Sequence, residues 1–122
     1  MSKILLIEDE ISLRNTLEMK LKEMGHEIIT ADDGQQGIET AREKKPDLVV
    51  LDLMMPKKNG IEFLKEVRED SELKDLAVVV LTNSDNPEHI QQVLDFGAST
   101  YLVKSNYSLL EVLEKIQKIL TP

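Results

Sequence analysis

The chain has no cysteine and no tryptophan, and only two phenylalanines and two tyrosines among its 122 residues. Without cysteine there is no disulfide, no thiolate metal ligand and no sulfur nucleophile, and the cytoplasm is the expected compartment. With so few aromatic rings, a platform for stacking nucleobases is not expected. Basic charge is scarce as well: 15 Lys and Arg stand against 23 Asp and Glu, a formal net charge of −8. That balance opposes non-specific binding to a phosphate backbone, so direct nucleic-acid contact is not expected. No apolar run reaches the roughly 18 residues that a membrane helix needs. The N-terminal stretch MSKILLIEDE meets its acids too early to act as a secretory signal. No linker, low-complexity tract or internal repeat interrupts the chain.

What is present suits one globular domain with a single core: 41% of residues are hydrophobic and 31% charged. Five aliphatic runs stand out, at Ile4–Ile7, Glu27–Ala31, Leu48–Asp52, Ala77–Thr82 and Thr100–Lys104. Three of them are nearly continuous Val, Ile and Leu, the pattern of strands covered on both faces in a parallel sheet. Segments of helical period lie between them. Leu13, Leu17, Leu21 and Met24 share one face of the first, and Ile61, Leu64 and Val67 one face of the third. Leu109, Val112, Leu113, Ile116 and Leu120 do so in the last. The second, Gly34–Lys44, carries Gly37, Ile38 and Ala41, and the short fourth carries Ile90, Val93 and Leu94. Boundary signals agree: Gly25 and Pro46 as stops, Asn86-Pro87 as N-cap and first helical position, Gly97 as a C-terminal stop, and Ser108 with Glu111 at capping-box spacing. The order is (βα) five times, which right-handed crossovers turn into a three-layer α/β sandwich.

An open parallel sheet gathers ligands beyond the carboxyl ends of its strands, where strand order reverses. Unusual polar residues stand at those places: Glu8 and Asp9 after the first strand, Asp52 at the end of the third, Thr82 at the end of the fourth and Lys104 at the end of the fifth. In a 2-1-3-4-5 strand order these ends are adjacent, so three carboxylates, a hydroxyl and an ammonium converge. Like charges at such range repel unless a cation intervenes, and oxygen-rich carboxylate sites of this kind suit Mg²⁺. Taken singly, each residue also has an ordinary structural reading, as a turn former, a helix cap or a surface lysine.

IEDE after the first strand, LDLMMPKKNG at the third, LT at the fourth and YLVK at the fifth together resemble the receiver domain of bacterial response regulators. The resemblance covers essentially all of residues 1–122, and implies a flavodoxin-like fold with strand order 2-1-3-4-5. It implies that Asp52 accepts a phosphoryl group from a histidine kinase, a phosphotransfer protein or a small acyl-phosphate donor. Glu8, Asp9, Asp52 and the backbone carbonyl of Met54 would hold Mg²⁺, and Lys104 and Thr82 would engage the phosphoryl oxygens. Thr82 and Tyr101 would form the switch that alters the face made by the fourth helix, fifth strand and fifth helix, through which a downstream protein binds. Pro56 and Gly60 would shape the loop entering the third helix, while Met54, Asn83 and Ser84 would tune access and phosphoryl lifetime. A self-modifying switch, monomeric or weakly dimeric, is expected rather than an enzyme with an outside substrate. The alternative is a degenerate receiver that binds partners without phosphorylation.

The chain departs from the family pattern at Ser105, where proline is usual after a cis bond, and at Asn83, where a small residue is usual. A cis bond to a residue other than proline costs roughly 3 kcal/mol, so this segment is expected either to hold strain or to run trans. Met54 offers no polar group to orient water, which predicts slow loss of the phosphoryl group. His26 and His89 read as surface histidines, and Lys57 and Lys58 as a solvated loop.

Overall fold

The computed structural model describes residues 2–55 and 58–120. Five strands, β1 (Lys3–Ile7), β2 (Glu27–Ala31), β3 (Leu48–Leu51), β4 (Ala77–Thr82) and β5 (Thr100–Val103), form one parallel sheet in the order β2-β1-β3-β4-β5. Between and after them run α1 (Ile11–Glu23), α2 (Gly34–Lys44), α3 (Gly60–Glu69), α4 (Pro87–Asp95) and α5 (Leu109–Leu120). The alternation of short aliphatic runs with helical segments gives the expected (βα)5 sandwich, and the strand order is the flavodoxin-like one that the family resemblance implies.

Strand alternation divides the core into two layers. Leu5, Ile7, Val49, Leu51, Val78 and Val80 face one way and pack with Ile38, Phe63, Leu64, Val67 and Val93. Ile4, Leu6, Leu48, Val50, Val79 and Leu81 face the other and pack with Leu17, Leu21, Val112 and Ile116. A run of consecutive aliphatics is therefore needed, because every residue of β1, β3 and β4 except the first of β1 and of β4 is inside.

Local chemistry sets the helix ends. Asn59 and Glu62 make a reciprocal capping box on α3, and Ser108 and Glu111 do the same before α5. Asn86 caps α4, with Pro87 at its first position. Gly97 ends α4's exit at φ +76° and Gly25 follows α1 at φ +95°, a region that side chains oppose. Arg68 of α3 donates to four carbonyls, those of Lys74, Leu76, Phe96 and Gly97, which ties the C-terminal end of α4 to α3.

The structure corrects several details. Asp52 and Lys104 lie one residue past their strands, and Lys104 opens a single 3₁₀ turn, Lys104–Asn106. Met24 and Leu94 are exposed rather than part of a buried face, leaving Val93 as the fully buried residue of α4. His26 is buried, accepting from Ser2 N–H at Nδ1 and bonded to Gln117 Oε1 through Nε2. A polar side chain removed from water this far needs such partners, and the sequence around it gives no sign of either. Among the described residues no peptide bond is cis.

Candidate functional site

Asp52 owes its place to the sheet. Its N–H donates to Ile7 O at 3.0 Å, so β3 stays paired with β1 through the residue that follows the last formal strand position. Glu8 is fixed in the same way, its N–H donating to Ala31 O at 3.3 Å. Both side chains are buried, whereas Asp9 is exposed at the mouth. One carboxylate oxygen from each of Glu8, Asp9 and Asp52 lies within 4.8 Å of the others.

Lys104 closes the site from β5. Its Nζ lies 2.9 Å from Glu8 Oε1 and 3.3 Å from Asp52 Oδ2, and its side chain is only 13% exposed. Burial opposes the ammonium charge, but the bond to Glu8 and the field of Asp52 outweigh it and hold the lysine above its ordinary range. Glu8 is pushed up to about 7, chiefly by burial, with the charge of Asp52 adding to the rise and the bond from Lys104 working against it. The other oxygen of Asp52 accepts from Met54 N–H at 3.1 Å. Thr82 is fully buried beside this group at the end of β4, and its Oγ1 accepts from Ser84 N–H at 3.4 Å. Tyr101 is half-buried and donates to Ser84 O at 2.7 Å.

The structure therefore brings Glu8, Asp9, Asp52 and Lys104 together. It places Thr82 on the adjoining strand end and Tyr101 behind the loop that follows it. Met54 is 58% exposed and Asn83 is exposed, both at the rim. Pro56, expected to shape the loop, and Lys57 lie outside the described residues. Two neighbours escaped the sequence reading. Glu10, the last residue of IEDE, reaches within 3.5 Å of Lys104 Nζ and makes the entrance more acidic than three carboxylates imply. His89, read as a surface residue, is half-buried and shares a cleft of about 490 Å³ with Asp9, Met54, Asn59 and Ile61. Only its spacing three residues past the Asn86 cap could have hinted that it turns back to the loop.

Gly60 shows why the loop after Asp52 needs glycine. A Cβ there would stand 2.6 Å from Asp52 O and 2.7 Å from Leu53 Cα, both backbone atoms with no freedom to yield. Gly60→Ala is expected to lower the unfolding free energy by about 2 kcal/mol, the order of an overpacked core. Urea denaturation monitored by circular dichroism measures it, and an unchanged midpoint would contradict the argument.

A doubly wound parallel sheet with buried carboxylates and a lysine at the carboxyl ends of its central strands defines the class: an α/β domain whose site lies at the topological switch point. The response regulator receiver domain model matches residues 4–117, and the chain belongs to that family. It is 36% identical over 118 residues to the alkaline phosphatase synthesis transcriptional regulatory protein PhoP of Bacillus subtilis, an alignment covering 97% of this chain and 48% of that protein. The chain thus spans about half the length of the curated relatives it matches. Among solved structures, the chemotaxis response regulator CheY4 of Vibrio cholerae superposes with a TM-score of 0.88 at 33% identity, covering 98% of each chain. The response regulator TrrA of Thermotoga maritima, in complex with Mg(2+)-BeF, superposes with a TM-score of 0.83 at 33% identity, covering 97% of this chain and 98% of that one. No helix among the described residues is long and apolar enough to cross a membrane.

Proposed function

We propose that this domain is a phosphoryl-accepting switch in which Asp52 is the acceptor. The observation that carries the reading is the state of the Asp52 carboxylate. It is buried at a strand end, with one oxygen on the Lys104 ammonium and the other on a backbone N–H, beside two further carboxylates. That donor set fits a hard divalent cation: three carboxylate oxygens lie close enough to share one ion, and their charge exceeds what Lys104 neutralises. Glu8, Asp9, Asp52 and the Met54 carbonyl would hold Mg²⁺, and TrrA, a relative of similar fold, is described in complex with Mg(2+)-BeF. When bound, Mg²⁺ supplies charge neutralisation for the transferring phosphoryl oxygens.

The chain's own residues supply the rest. An Asp52 carboxylate oxygen attacks phosphorus in line, forming the acyl P–O bond while the donor's P–N or P–O bond breaks and the leaving group keeps the electron pair. Lys104 is placed to neutralise charge on the phosphoryl oxygens, as positioned cations do in phosphoryl transfer. Among the described residues Thr82 Oγ1 accepts from Ser84 N–H, which leaves its own proton to donate to the new phosphoryl group. Such a bond exists only in the phosphorylated protein, so it shifts the balance between two states. Tyr101, already joined to Ser84 O, carries that shift towards α4, β5 and α5, the proposed surface for a downstream protein. A histidine kinase or phosphotransfer protein is the proposed physiological donor. A phosphorylation-independent interaction module is not favoured, because neither the acids nor the lysine has been lost.

Incubation with Mg²⁺ and acetyl phosphate tests the reading. Intact mass should show one phosphoryl group added per chain, and none when Mg²⁺ is chelated. Binding of the ion is checked separately by thermal unfolding. At a Mg²⁺ concentration about tenfold above its Kd the stabilisation is about 1.4 kcal/mol, or roughly 4–6 °C for a domain of this size. Asp9→Ala should remove most of that rise, and a full rise in the variant would place the ion elsewhere.

A further inference from the structure

The β4–α4 loop is organised around one residue, Ser84. Its N–H donates to Thr82 Oγ1 at 3.4 Å, and its carbonyl accepts from Tyr101 OH at 2.7 Å. Its hydroxyl accepts from Asn86 N–H at 3.3 Å and lies 2.7 Å from His89 Nδ1. The backbone of Ser84 thus touches both proposed switch residues, while its side chain is held from α4. Because Asn86 N–H fills one acceptor position, the hydroxyl proton is free to point at Nδ1. The bond also survives protonation of the ring, with Nδ1–H then donating to Oγ.

The two ends of α4 are held very differently. At the C-terminal end, the guanidinium of Arg68 binds the Phe96 and Gly97 carbonyls and, in the α3–β4 loop, those of Lys74 and Leu76. At the N-terminal end, the side-chain ties from helix to loop are the Asn86 cap and the His89–Ser84 bond. Asn86 also reaches Ser84 Oγ through its backbone N–H, but among the described residues His89 is the one within the helix that binds it. A helix anchored firmly at one end sets the loop at the other through that contact.

We propose that His89 is a positioning residue for the switch: through Ser84 Oγ it holds the β4–α4 loop in the arrangement that turns Thr82 and Tyr101 towards the Asp52 phosphoryl site. This rests on the acceptor reading of Asp52 and adds to it a residue that does not touch the phosphoryl group. The effect is one neutral hydrogen bond that favours a single loop arrangement, which corresponds to about a fivefold change in an equilibrium constant.

The test is titration of the full chain with beryllofluoride at saturating Mg²⁺, followed by amide NMR. Titration with Mg²⁺ alone is run in parallel. His89→Ala should raise the half-saturating beryllofluoride concentration about fivefold, Ser84→Ala, which also removes the acceptor of Asn86 N–H, at least as much, and the double variant no more than Ser84→Ala, because the His89–Ser84 bond is already lost there. Asparagine can put a side-chain polar atom where Nδ1 stands, so His89→Asn should come within about twofold of wild type. The longer His89→Gln should remain weak. Mg²⁺ affinity should be unchanged in every variant. A His89→Ala protein within twofold of wild type overturns the inference, and so do additive effects of the two alanine variants. A parallel fall in Mg²⁺ affinity also overturns it, since His89 would then act through the cleft wall it shares with Asp9. A wild-type protein that never responds to beryllofluoride overturns the acceptor reading itself, and this inference with it.

Discussion

Asp52→Asn will keep its unmodified mass after incubation with Mg²⁺ and acetyl phosphate under conditions where the wild-type chain gains one phosphoryl group. The change removes the nucleophile almost without altering shape: an amide oxygen replaces a carboxylate oxygen and carries no negative charge to attack phosphorus. The variant also distinguishes the acceptor from its neighbours. Glu8 is buried and committed to Lys104 at 2.9 Å, which makes it a poor nucleophile. Asp9 is exposed at the mouth, where water competes for any activated donor. If an adduct persists in Asp52→Asn at the wild-type rate, the acceptor is one of those two and the proposed function fails.

Lys104→Met will lower the unfolding free energy by about 3 kcal/mol in magnesium-free buffer at pH 8, the low end of what breaking a buried ion pair costs. The methionine replaces most of the side-chain volume, so the loss is electrostatic. Glu8 and Asp52, both buried, are left facing each other with no ammonium between them. The sign of the pH dependence follows from Glu8. Its folded value, about 7, lies above the ordinary 4.5, so the folded chain binds the extra proton. The resulting stabilisation is full below pH 4.5 and is lost as pH rises through 7. In the methionine variant the pull from Lys104 is gone and Glu8 stays protonated over a wider range. The difference between variant and wild type should therefore shrink at pH 5. Urea denaturation at the two pH values measures it. A loss below 1 kcal/mol at pH 8, or a loss that grows at pH 5, would contradict the electrostatic account.

Much of this protein is legible in its sequence. The continuous aliphatic runs dictate strands buried on both faces, and the helical spacing of Leu17 with Leu21, and of Val112 with Ile116, dictates the layers that cover them. The caps at Asn86 and Ser108 came from local chemistry that operates within four residues. Such features depend on neighbours along the chain, and sequence records neighbours directly.

The histidines mark where that legibility ended. His26 meets Gln117 across 91 positions, and His89 meets Ser84 only because the loop before α4 folds back on the helix. Arg68 was an ordinary charged residue in a helix until four carbonyls from two other segments were found around it. None of these pairings has a periodicity or a motif, since each arises where packed elements happen to face one another.

The site combines both kinds of information. By itself the sequence determined which residue types stand at the strand ends: Glu8 and Asp9, Asp52, Thr82 and Lys104. The resemblance implied that β1, β3, β4 and β5 lie side by side, but the tertiary structure alone decided the register and side-chain placement that carry Asp52 N–H onto Ile7 O. Only that adjacency gives one ammonium two carboxylates within 3.3 Å. The reason is physical: strand order is set by how the crossing helices pack on the sheet, and charges placed 44 and 52 residues apart along the chain act on one another only once that packing has removed the water between them.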